Sequence, residues 1–246
     1  MNPGLEGRAA IVTGSSSGIG EAVARHLSLV GVNVVVNSST STARGRRVAD
    51  ALPTDSIYIQ ADISDSHHCE GLVDQALKRF GRLDILVNTA GWTSWVEHDD
   101  LEGLTDDILR KTFEVNVYGS WWMTRAAMPH LKESPDGNVT NITSVAGIRP
   151  VGSSIAYAMA KASLNHLTRL LAKSHGPVRV NAVAPGLIDT PWTADQDERR
   201  EAVASRAPAG RLGTSDDVAA AVMSLITNPY VTGEIFVVDG GVTQAV

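Results

Sequence analysis

The chain of 246 residues is poor in cysteine, in positive charge and in long apolar runs. Its one cysteine, Cys69, cannot form an internal disulfide, so the cysteine count gives no sign of an oxidising compartment. Lys and Arg number 21 against 27 Asp and Glu, and the net charge of -6 argues against nucleic-acid and anionic-membrane partners. No apolar run approaches the ~20 residues of a membrane span, and the start, MNPGLEGRAA, resembles no secretion signal. We therefore expect a cytoplasmic protein.

The chain instead contains short β-branched runs that alternate with longer helical patterns such as residues 19–31 and 67–81. Nearly all-apolar strands that alternate with helices predict an α/β fold, a doubly wound parallel sheet with helices on both faces. No repeat or linker divides the chain, so we expect one domain over residues 1–246. Ligands of such folds bind beyond the carboxyl ends of the strands. The predicted strands are residues 9–14, 33–38, 56–63, 83–91, 138–144, 178–186 and 234–241.

A glycine-rich loop, TGSSSGIG at residues 13–20, follows the first strand and opens a helix. Gly14, Gly18 and Gly20 allow a tight turn and a close approach of the backbone to a ligand. The free N–H groups and the dipole of the following helix favour a pyrophosphate at its start. The spacing G-x-x-x-G-x-G differs from the commonest dinucleotide fingerprint, but the strand before it and the helix after it are the context that such a motif requires.

Tyr157 and Lys161 lie four residues apart in SIAYAMAKAS, a run of small residues. The spacing places both side chains on one face of a helix, where the small neighbours leave room for a ligand. A nearby ammonium favours the phenolate and lowers the pKa of a tyrosine from its usual value of about 10. We expect Tyr157 to act as general acid and base, with Lys161 as its electrostatic partner. Taken alone, such a pair also fits an ordinary helix surface.

Seven motifs in one order resemble the short-chain dehydrogenase/reductase family, from about residue 7 to residue 241. They are TGSSSGIG, Asp62 in ADI, NTAG at 88–91, Asn116 in FEVNVYG, Ser144 in ITSVAG, YAMAK at 157–161 and PG at 185–186. The resemblance implies a Rossmann fold with strand order 3-2-1-4-5-6-7 and a hydride transfer between a nicotinamide cofactor and a carbonyl or secondary alcohol. It also implies a homo-oligomer, a dimer or a tetramer. Thr89 stands where the family usually has a second asparagine.

The resemblance also implies the roles of single residues. Ser144 would bond the substrate oxygen, Asn116 would help to hold a water that relays protons, and Lys161 would also bond the nicotinamide ribose. Hydride transfer needs no metal, and His67, His68 and Cys69 fit a helix start better than a metal site. The expected cofactor-binding residues are Gly14, Ser16, Ser17, Gly18, Ile19, Gly20, Asn37, Ser38, Ser39, Asp62, Ile63, Asn88, Ala90, Gly91, Tyr157, Lys161, Pro185, Gly186, Ile188 and Thr190.

The second strand bears on the choice of cofactor. By resemblance, the acidic residue that accepts hydrogen bonds from the ribose of NAD would sit at Ser38, so the group that repels a 2′-phosphate is absent. The side chains of residues 37–40 can donate to a phosphate, and Arg44 is near enough in sequence to reach it. These features favour NADP(H). Ser17 stands where many NADP users carry a basic residue, which leaves NAD(H) open.

The substrate is expected to enter between the loops after the fourth, fifth and sixth strands. These loops carry Trp92, Trp95, Arg149 and Trp192, and a small lid is expected at about residues 187–207. Their aromatic and aliphatic walls suit a small to medium, moderately apolar carbonyl or alcohol. A 3-oxoacyl thioester stays open, although VAGIRPVGSSIA lacks a Gly-Asn-x-Gly-Gln pattern frequent in that branch.

Two other functions remain open for this chain. One is an NAD-dependent alcohol or sugar dehydrogenase of the same family, and the more distant one is a non-catalytic sensor of the cofactor.

The charged run at 195–201 is expected to be a solvated helix face.

Overall fold

The computed structural model describes residues 4–244 and contains a seven-stranded parallel sheet. Its strands follow the order β3-β2-β1-β4-β5-β6-β9. Because β9 is the seventh of the predicted strands, the predicted α/β fold and strand order are confirmed. A second, two-stranded sheet, β7-β8, was not predicted, since strands of two residues have no periodicity to read. The strands are β1 Ala9–Val12, β2 Asn33–Ser38, β3 Ile57–Gln60, β4 Ile85–Asn88, β5 Asn138–Ile142, β6 Arg179–Pro185, β7 Ile188–Asp189, β8 Gly213–Thr214 and β9 Ile235–Val238.

Eight α-helices are found among the described residues, several of them started by an identifiable cap. The Asp65 side chain accepts from the N–H of His67 at 2.8 Å at the start of α3, and Thr214 and Asp217 form a capping box at α8. The helices are α1 Gly18–Leu29, α2 Thr42–Ala51, α3 Ser66–Phe80, α4 Asp106–Phe113, α5 Ser120–Glu133, α6 Ile155–Ser174, α7 Asp197–Arg206 and α8 Ser215–Thr227. A π-helical turn, Glu114–Gly119, joins α4 to α5, and Val145–Gly147 and Val242–Gln244 form 3₁₀ turns.

The sheet is covered on both faces because alternate residues of each central strand point to opposite sides. Val12 of β1 packs into the cluster formed with α1 and α8, whereas Ile11 packs into the cluster formed with α3 and α5. Both side chains are fully buried. The sheet thus lies between two helix layers with a core on each face, and the loops at the carboxyl ends of the strands are left to form a site.

The segment at residues 187–207 contains β7 and α7. No residue of α7 is buried, in contrast to α1 and α8, which are anchored in the core. Within residues 4–244 no helix is long and apolar enough to cross a membrane.

Candidate active site

The carboxyl ends of the strands open onto one cleft of about 1800 Å³. Every predicted catalytic or cofactor-binding residue lines this cleft except Asn88 and Asn116. Trp92, Trp95, Arg149 and Trp192 line it as well, as expected for the loops after the fourth, fifth and sixth strands. Apart from those two asparagines, the predicted site residues thus share one cleft.

The glycine loop is packed so closely that side chains are excluded from it. A Cβ on Gly14, whose φ is +63°, would lie 2.7 Å from the Cα of Ala90, and one on Gly20 would lie 2.6 Å from the carbonyl oxygen of Gly14. Ser15 fixes the loop to the end of β1, because its hydroxyl donates a hydrogen bond to the carbonyl oxygen of Val12 at 2.6 Å. The start of α1 is left bare toward the cleft, which is the geometry that a dinucleotide pyrophosphate requires.

The side chain of Asn37 was expected to donate to a 2′-phosphate, and the structure does not support this. Its side chain is buried and fully engaged, with Oδ1 accepting from the N–H of Gly14 at 3.3 Å and Nδ2 donating to the carbonyls of Ile59 and Ala61. The Asn37 amide therefore supports the glycine loop and has no N–H left to donate to a phosphate.

Ser38, the next residue, is also engaged: its hydroxyl lies 2.9 Å from that of Tyr58. Of the four side chains at residues 37–40, only the exposed Ser39 and Thr40 keep hydroxyl groups directed to solvent and without a partner among the described residues.

Asn88 was also expected to bind the cofactor, and the structure places its side chain elsewhere. Its side chain lies beneath the cleft and donates to Thr124 Oγ1 at 3.1 Å and to Asn141 Oδ1 at 2.9 Å. It ties β4 to α5 and β5 and does not line the cofactor path. Thr89, the next residue, does line the cleft, and its buried Oγ1 has no hydrogen-bond partner among residues 4–244. Such a group is normally satisfied by water or a ligand.

The reactive helix, α6, is fixed at its start by Ser154, whose Oγ accepts from the N–H of Tyr157 at 3.2 Å. One turn further, Lys161 is 4% exposed, and its Nζ donates to the carbonyl oxygen of Ile142 at 2.9 Å. Lys161 Nζ lies 5.4 Å from the centre of the Tyr157 ring. Ser144, at the end of β5, accepts from the N–H of Ala146 at 3.1 Å and faces the Tyr157 phenol. The helix and the neighbouring strand thus bring Ser144, Tyr157 and Lys161 to one end of the cleft.

The expected lowering of the Tyr157 pKa is not found in this structure. Burial raises the pKa of Tyr157 to about 12, and the hydrogen bond from Ser144 opposes that rise only in part. Burial also lowers the pKa of Lys161 from 10.5 to about 8. Both shifts have the same main cause, because the loss of solvation in the cleft disfavours the charged form of each group.

Asn116 lies in the π-helical turn and is held by backbone groups. Its Nδ2 donates to the carbonyls of Trp92 at 2.7 Å and of Thr112 at 2.8 Å, so the amide N–H groups are not free for a water. Only Oδ1 faces the reactive groups: a Cβ on Gly91 would lie 2.9 Å from it and 3.7 Å from Lys161 Nζ. Gly91 thus keeps side-chain atoms out of the region between the Asn116 carbonyl and the Lys161 ammonium.

Two cations cover tryptophan rings at the substrate end. Lys111 Nζ lies 4.6 Å from the centre of the Trp92 ring, and the guanidinium of Arg199 lies 4.4 Å from that of Trp95. Sequence reasoning missed Lys111 among the lining residues, and it placed Val203 and Arg206 only within the expected lid segment. Arg199, Val203 and Arg206 recur at the spacing of one helix face, and that periodicity was the signal that could have identified them individually. The run at 195–201 is therefore only in part the solvated face that was expected.

Within the described part of the chain, no group of three or more His, Cys, Asp or Glu side chains is arranged to hold a metal ion. Cys69 is buried, and His67 and His68 are exposed on the first turn of α3. The cleft itself fits a nicotinamide dinucleotide, because a bare helix start and glycines that exclude side chains line one continuous space.

Comparison with known proteins agrees with this geometry. Residues 14–243 match the family model described as enoyl-(acyl carrier protein) reductase. A ketoacyl reductase of the granaticin polyketide synthase of Streptomyces violaceoruber is 49% identical over 240 residues, covering 96% of each chain. A 3-oxoacyl-[acyl-carrier-protein] reductase of Thermotoga maritima is 32% identical, covering 96% of this chain and 98% of its own.

Two further relatives show how varied the family is. Glucose 1-dehydrogenase 2 of Bacillus subtilis is 34% identical over 253 residues, covering 99% of this chain and 97% of its own. A solved short-chain dehydrogenase/reductase of Burkholderia xenovorans superposes with a TM-score of 0.90 at 31% identity, covering 96% of this chain and 98% of that one.

Fold and site together define an oxidoreductase that uses a nicotinamide cofactor on a carbonyl or alcohol group. The chain belongs to the short-chain dehydrogenase/reductase family.

Proposed function

We propose that this protein reduces a carbonyl group with NADPH, with Tyr157 as the general acid. The observation that carries the proposal is the convergence of Ser144, Tyr157 and Lys161 at one end of a cleft that fits a dinucleotide. Reduction of a ketone needs a hydrogen-bond donor to the carbonyl oxygen, a proton source and a nearby positive charge. Ser144, Tyr157 and Lys161 can supply these three in that order. A non-catalytic sensor would have no need to keep them together.

The proton chemistry follows from the environments of these groups. When bound, the cofactor supplies the hydride. Tyr157, with a pKa raised to about 12, holds its proton at neutral pH and is in the form required to donate to the substrate oxygen. The Ser144 hydroxyl shares the developing negative charge. Lys161, with a pKa of about 8, is mostly charged at neutral pH and can return a proton to Tyr157.

The space beside Gly91 gives the returning proton a path. Lys161 Nζ and Asn116 Oδ1 lie on either side of the point that a Cβ of Gly91 would occupy. A water in that space accepts from Lys161 and donates to Asn116, which connects the buried ammonium to the cleft. Asn116 acts here through its carbonyl oxygen, since its amide N–H groups bind backbone carbonyls.

The preference for NADP(H) is supported by the residues near the adenosine end of the cleft. Ser38 to Ser41 line the cleft with hydroxyl groups and no carboxylate. A recess of about 400 Å³ adjoins the glycine loop and is lined by Ser17, Gly18 and Arg44. Arg44 forms no ion pair with any residue between 4 and 244, whereas Arg25, in the same recess, pairs with Asp216 at 2.5 Å. We assign the 2′-phosphate to Arg44 with the hydroxyls of Ser39 and Thr40. Glu21 also lines this recess and moderates its positive charge.

A 3-oxoacyl thioester is the substrate class that we favour. Support comes from the ketoacyl and 3-oxoacyl reductases among the relatives and from the tryptophans that line the same cleft as Tyr157. The similarity to a glucose dehydrogenase keeps alcohol and sugar oxidation as the competing outcome.

The test is a panel of oxoacyl thioesters, simple ketones and, with the oxidised cofactors, alcohols and glucose, each with both nicotinamide cofactors. We expect NADPH to be consumed with an oxoacyl thioester at a higher kcat/KM than with any other carbonyl. Glucose or alcohol oxidation with NAD⁺ at the highest kcat/KM would favour the competing function, and cofactor binding without turnover would favour a sensor.

We further propose a cytoplasmic homo-oligomer, a dimer or a tetramer. Four large apolar side chains on α5, on α6 and on the π-helical turn before α5 are between 40% and 52% exposed: Tyr118, Trp121, Met159 and Leu170. Exposed large apolar side chains on neighbouring helices are typical of a subunit contact. Sedimentation at micromolar concentration tests this, with a monomer as the contradicting result.

A further inference from the structure

The helix over the substrate end of the cleft directs two of its three arginines and none of its acidic residues into the cleft. In α7, Arg199, Val203 and Arg206 line the cleft, at the spacing of one helical face. Glu198 and Glu201 are exposed and do not line it. Because no residue of α7 is buried, core packing does not dictate which face carries the arginines.

The opposite walls carry positive charge as well. We define the substrate half of the cleft as its lining residues within 92–115, 144–153 and 191–206. The cations there are Arg110, Lys111, Arg149, Arg199 and Arg206, and the acidic residues are Asp107 and Glu114. This excess of five cations over two acids stands in a chain whose net charge is -6. The substrate half of the cleft is therefore locally positive, although the chain as a whole is negative.

Two of these cations are free to bind a ligand. Arg110 lies 3.8 Å from Asp106, Lys111 covers Trp92, and Arg199 covers Trp95 and lies 3.6 Å from Glu97. Arg149 and Arg206, in contrast, form no ion pair with any residue from 4 to 244. One comes from the loop that follows Ser144 and the other from α7, so they approach the substrate half from two different elements.

We propose that the substrate carries an oxyanion, a phosphate or a carboxylate, at the end remote from its carbonyl group, and that Arg149 and Arg206 bind it. This inference rests on the carbonyl reduction proposed above. A guanidinium group matches both oxyanions with paired N–H donors. Trp95 and Trp192, 43% and 45% exposed, provide apolar surface for the part of the substrate between the two ends.

The test compares substrates that differ in charge and share the reacting carbonyl. One pair is acetoacetyl-coenzyme A and the neutral N-acetylcysteamine thioester of acetoacetate, which reports on phosphate. A second pair is a long-chain ketone with a terminal carboxylate and its methyl ester, which reports on carboxylate. For the double variant Arg149→Gln/Arg206→Gln we expect kcat/KM to fall roughly tenfold for the charged member that the site accepts, and little for its neutral partner.

Arg200→Gln is the matched control. It removes the same charge from the same helix, but Arg200 pairs with Asp189 at 2.8 Å and does not line the cleft. We expect this variant to change charged and neutral substrates by the same factor. Binding of coenzyme A alone, followed by tryptophan fluorescence at low and high salt, measures the oxyanion site without turnover.

Three outcomes separate the two proposals. Weaker coenzyme A or carboxylate binding in the double variant, with the neutral substrates unaffected, supports the oxyanion site even if turnover is slow. An equal effect of the double variant on charged and neutral members overturns the oxyanion site and leaves carbonyl reduction intact. If no carbonyl is reduced but charged ligands bind through Arg149 and Arg206, the proposed function fails and the oxyanion site stands.

Discussion

Lys161 Nζ lies 5.4 Å from the centre of the Tyr157 ring and donates its hydrogen bond to the carbonyl oxygen of Ile142 at 2.9 Å. The ammonium is thus held inside the protein, one helical turn from the phenol, with a pKa lowered to about 8 by burial. This arrangement makes Lys161 the group that titrates nearest to neutrality in the reactive set.

The first prediction concerns pH. Because reduction requires the Lys161 ammonium to return a proton to Tyr157, kcat/KM for reduction should fall as pH rises through about 8. A profile that stays flat to pH 10 would remove Lys161 from the relay. Steady-state rates with NADPH at constant ionic strength measure this.

The same pKa also predicts a change in stability. The unfolded chain binds a proton at Lys161 up to its usual pKa of 10.5, whereas the folded protein releases it near 8, so the free energy of unfolding should rise between these values, by up to about 3 kcal/mol. Lys161→Met should lack this rise. Urea unfolding of both proteins at several pH values between 8 and 10.5 makes the comparison, and parallel curves would contradict the lowered pKa.

Arg44 is predicted to select NADP(H) over NAD(H). It lies in the recess beside Ser17 and Gly18 without an ion-pair partner among the described residues. Arg44→Gln should weaken NADPH binding about fivefold and leave NADH binding unchanged, since exposed charge-assisted contacts contribute about 1 kcal/mol. Arg46→Gln, on the same helix but not lining the recess, serves as control. Equal losses for both cofactors in Arg44→Gln would show that Arg44 does not read the 2′-phosphate.

Gly91→Ala tests the water position. The added methyl would lie 2.9 Å from Asn116 Oδ1 and 3.7 Å from Lys161 Nζ. It should displace a bridging water and force a small shift of the Asn116 amide, so kcat should fall at least tenfold while the unfolding midpoint falls only slightly. Full activity together with an unchanged midpoint would mean that no water is needed there.

A buried carboxylate far from the cleft provides a prediction on stability alone. Asp84 is 1% exposed and accepts from Arg82 at 2.7 Å, from the Ser134 hydroxyl at 2.6 Å and from the N–H of Ala9 at 2.9 Å. These bonds hold the pKa of Asp84 below its usual value in spite of burial. Asp84→Asn should destabilise the protein by roughly 3 kcal/mol at neutral pH.

The sign of the pH effect follows from that lowered pKa. The stabilisation is present above the usual carboxyl pKa and is lost as pH falls through the lowered one, so the two proteins should converge in acid. A difference in unfolding free energy that does not shrink between neutral and strongly acid pH would contradict this assignment.

Much of the fold and of the cleft could be predicted because the signals are local. Strand order followed from a motif pattern that a family shares, and the positions after each strand end located the lining residues. The glycine loop is an example: its three glycines lie where a Cβ would clash or where φ is positive.

What could not be predicted depends on contacts distant in sequence. Asn37 lines the cleft, but its amide supports Gly14 and cannot donate to a phosphate. Asn88 was expected on the cofactor path, but its side chain ties β4 to Asn141. The pKa of Tyr157 was misjudged because a spacing of four residues gives proximity to Lys161 and says nothing about desolvation.

The most direct test of the central claim is single-turnover oxidation of NADPH by an oxoacyl thioester with the parent protein and with Tyr157→Phe. Hydride transfer should be lost in the variant by a factor of at least about 100, the usual scale of general acid catalysis, while NADPH binding stays the same. Tyr157→Phe that oxidises NADPH at the parental rate would contradict the claim that the Tyr157 hydroxyl delivers the proton.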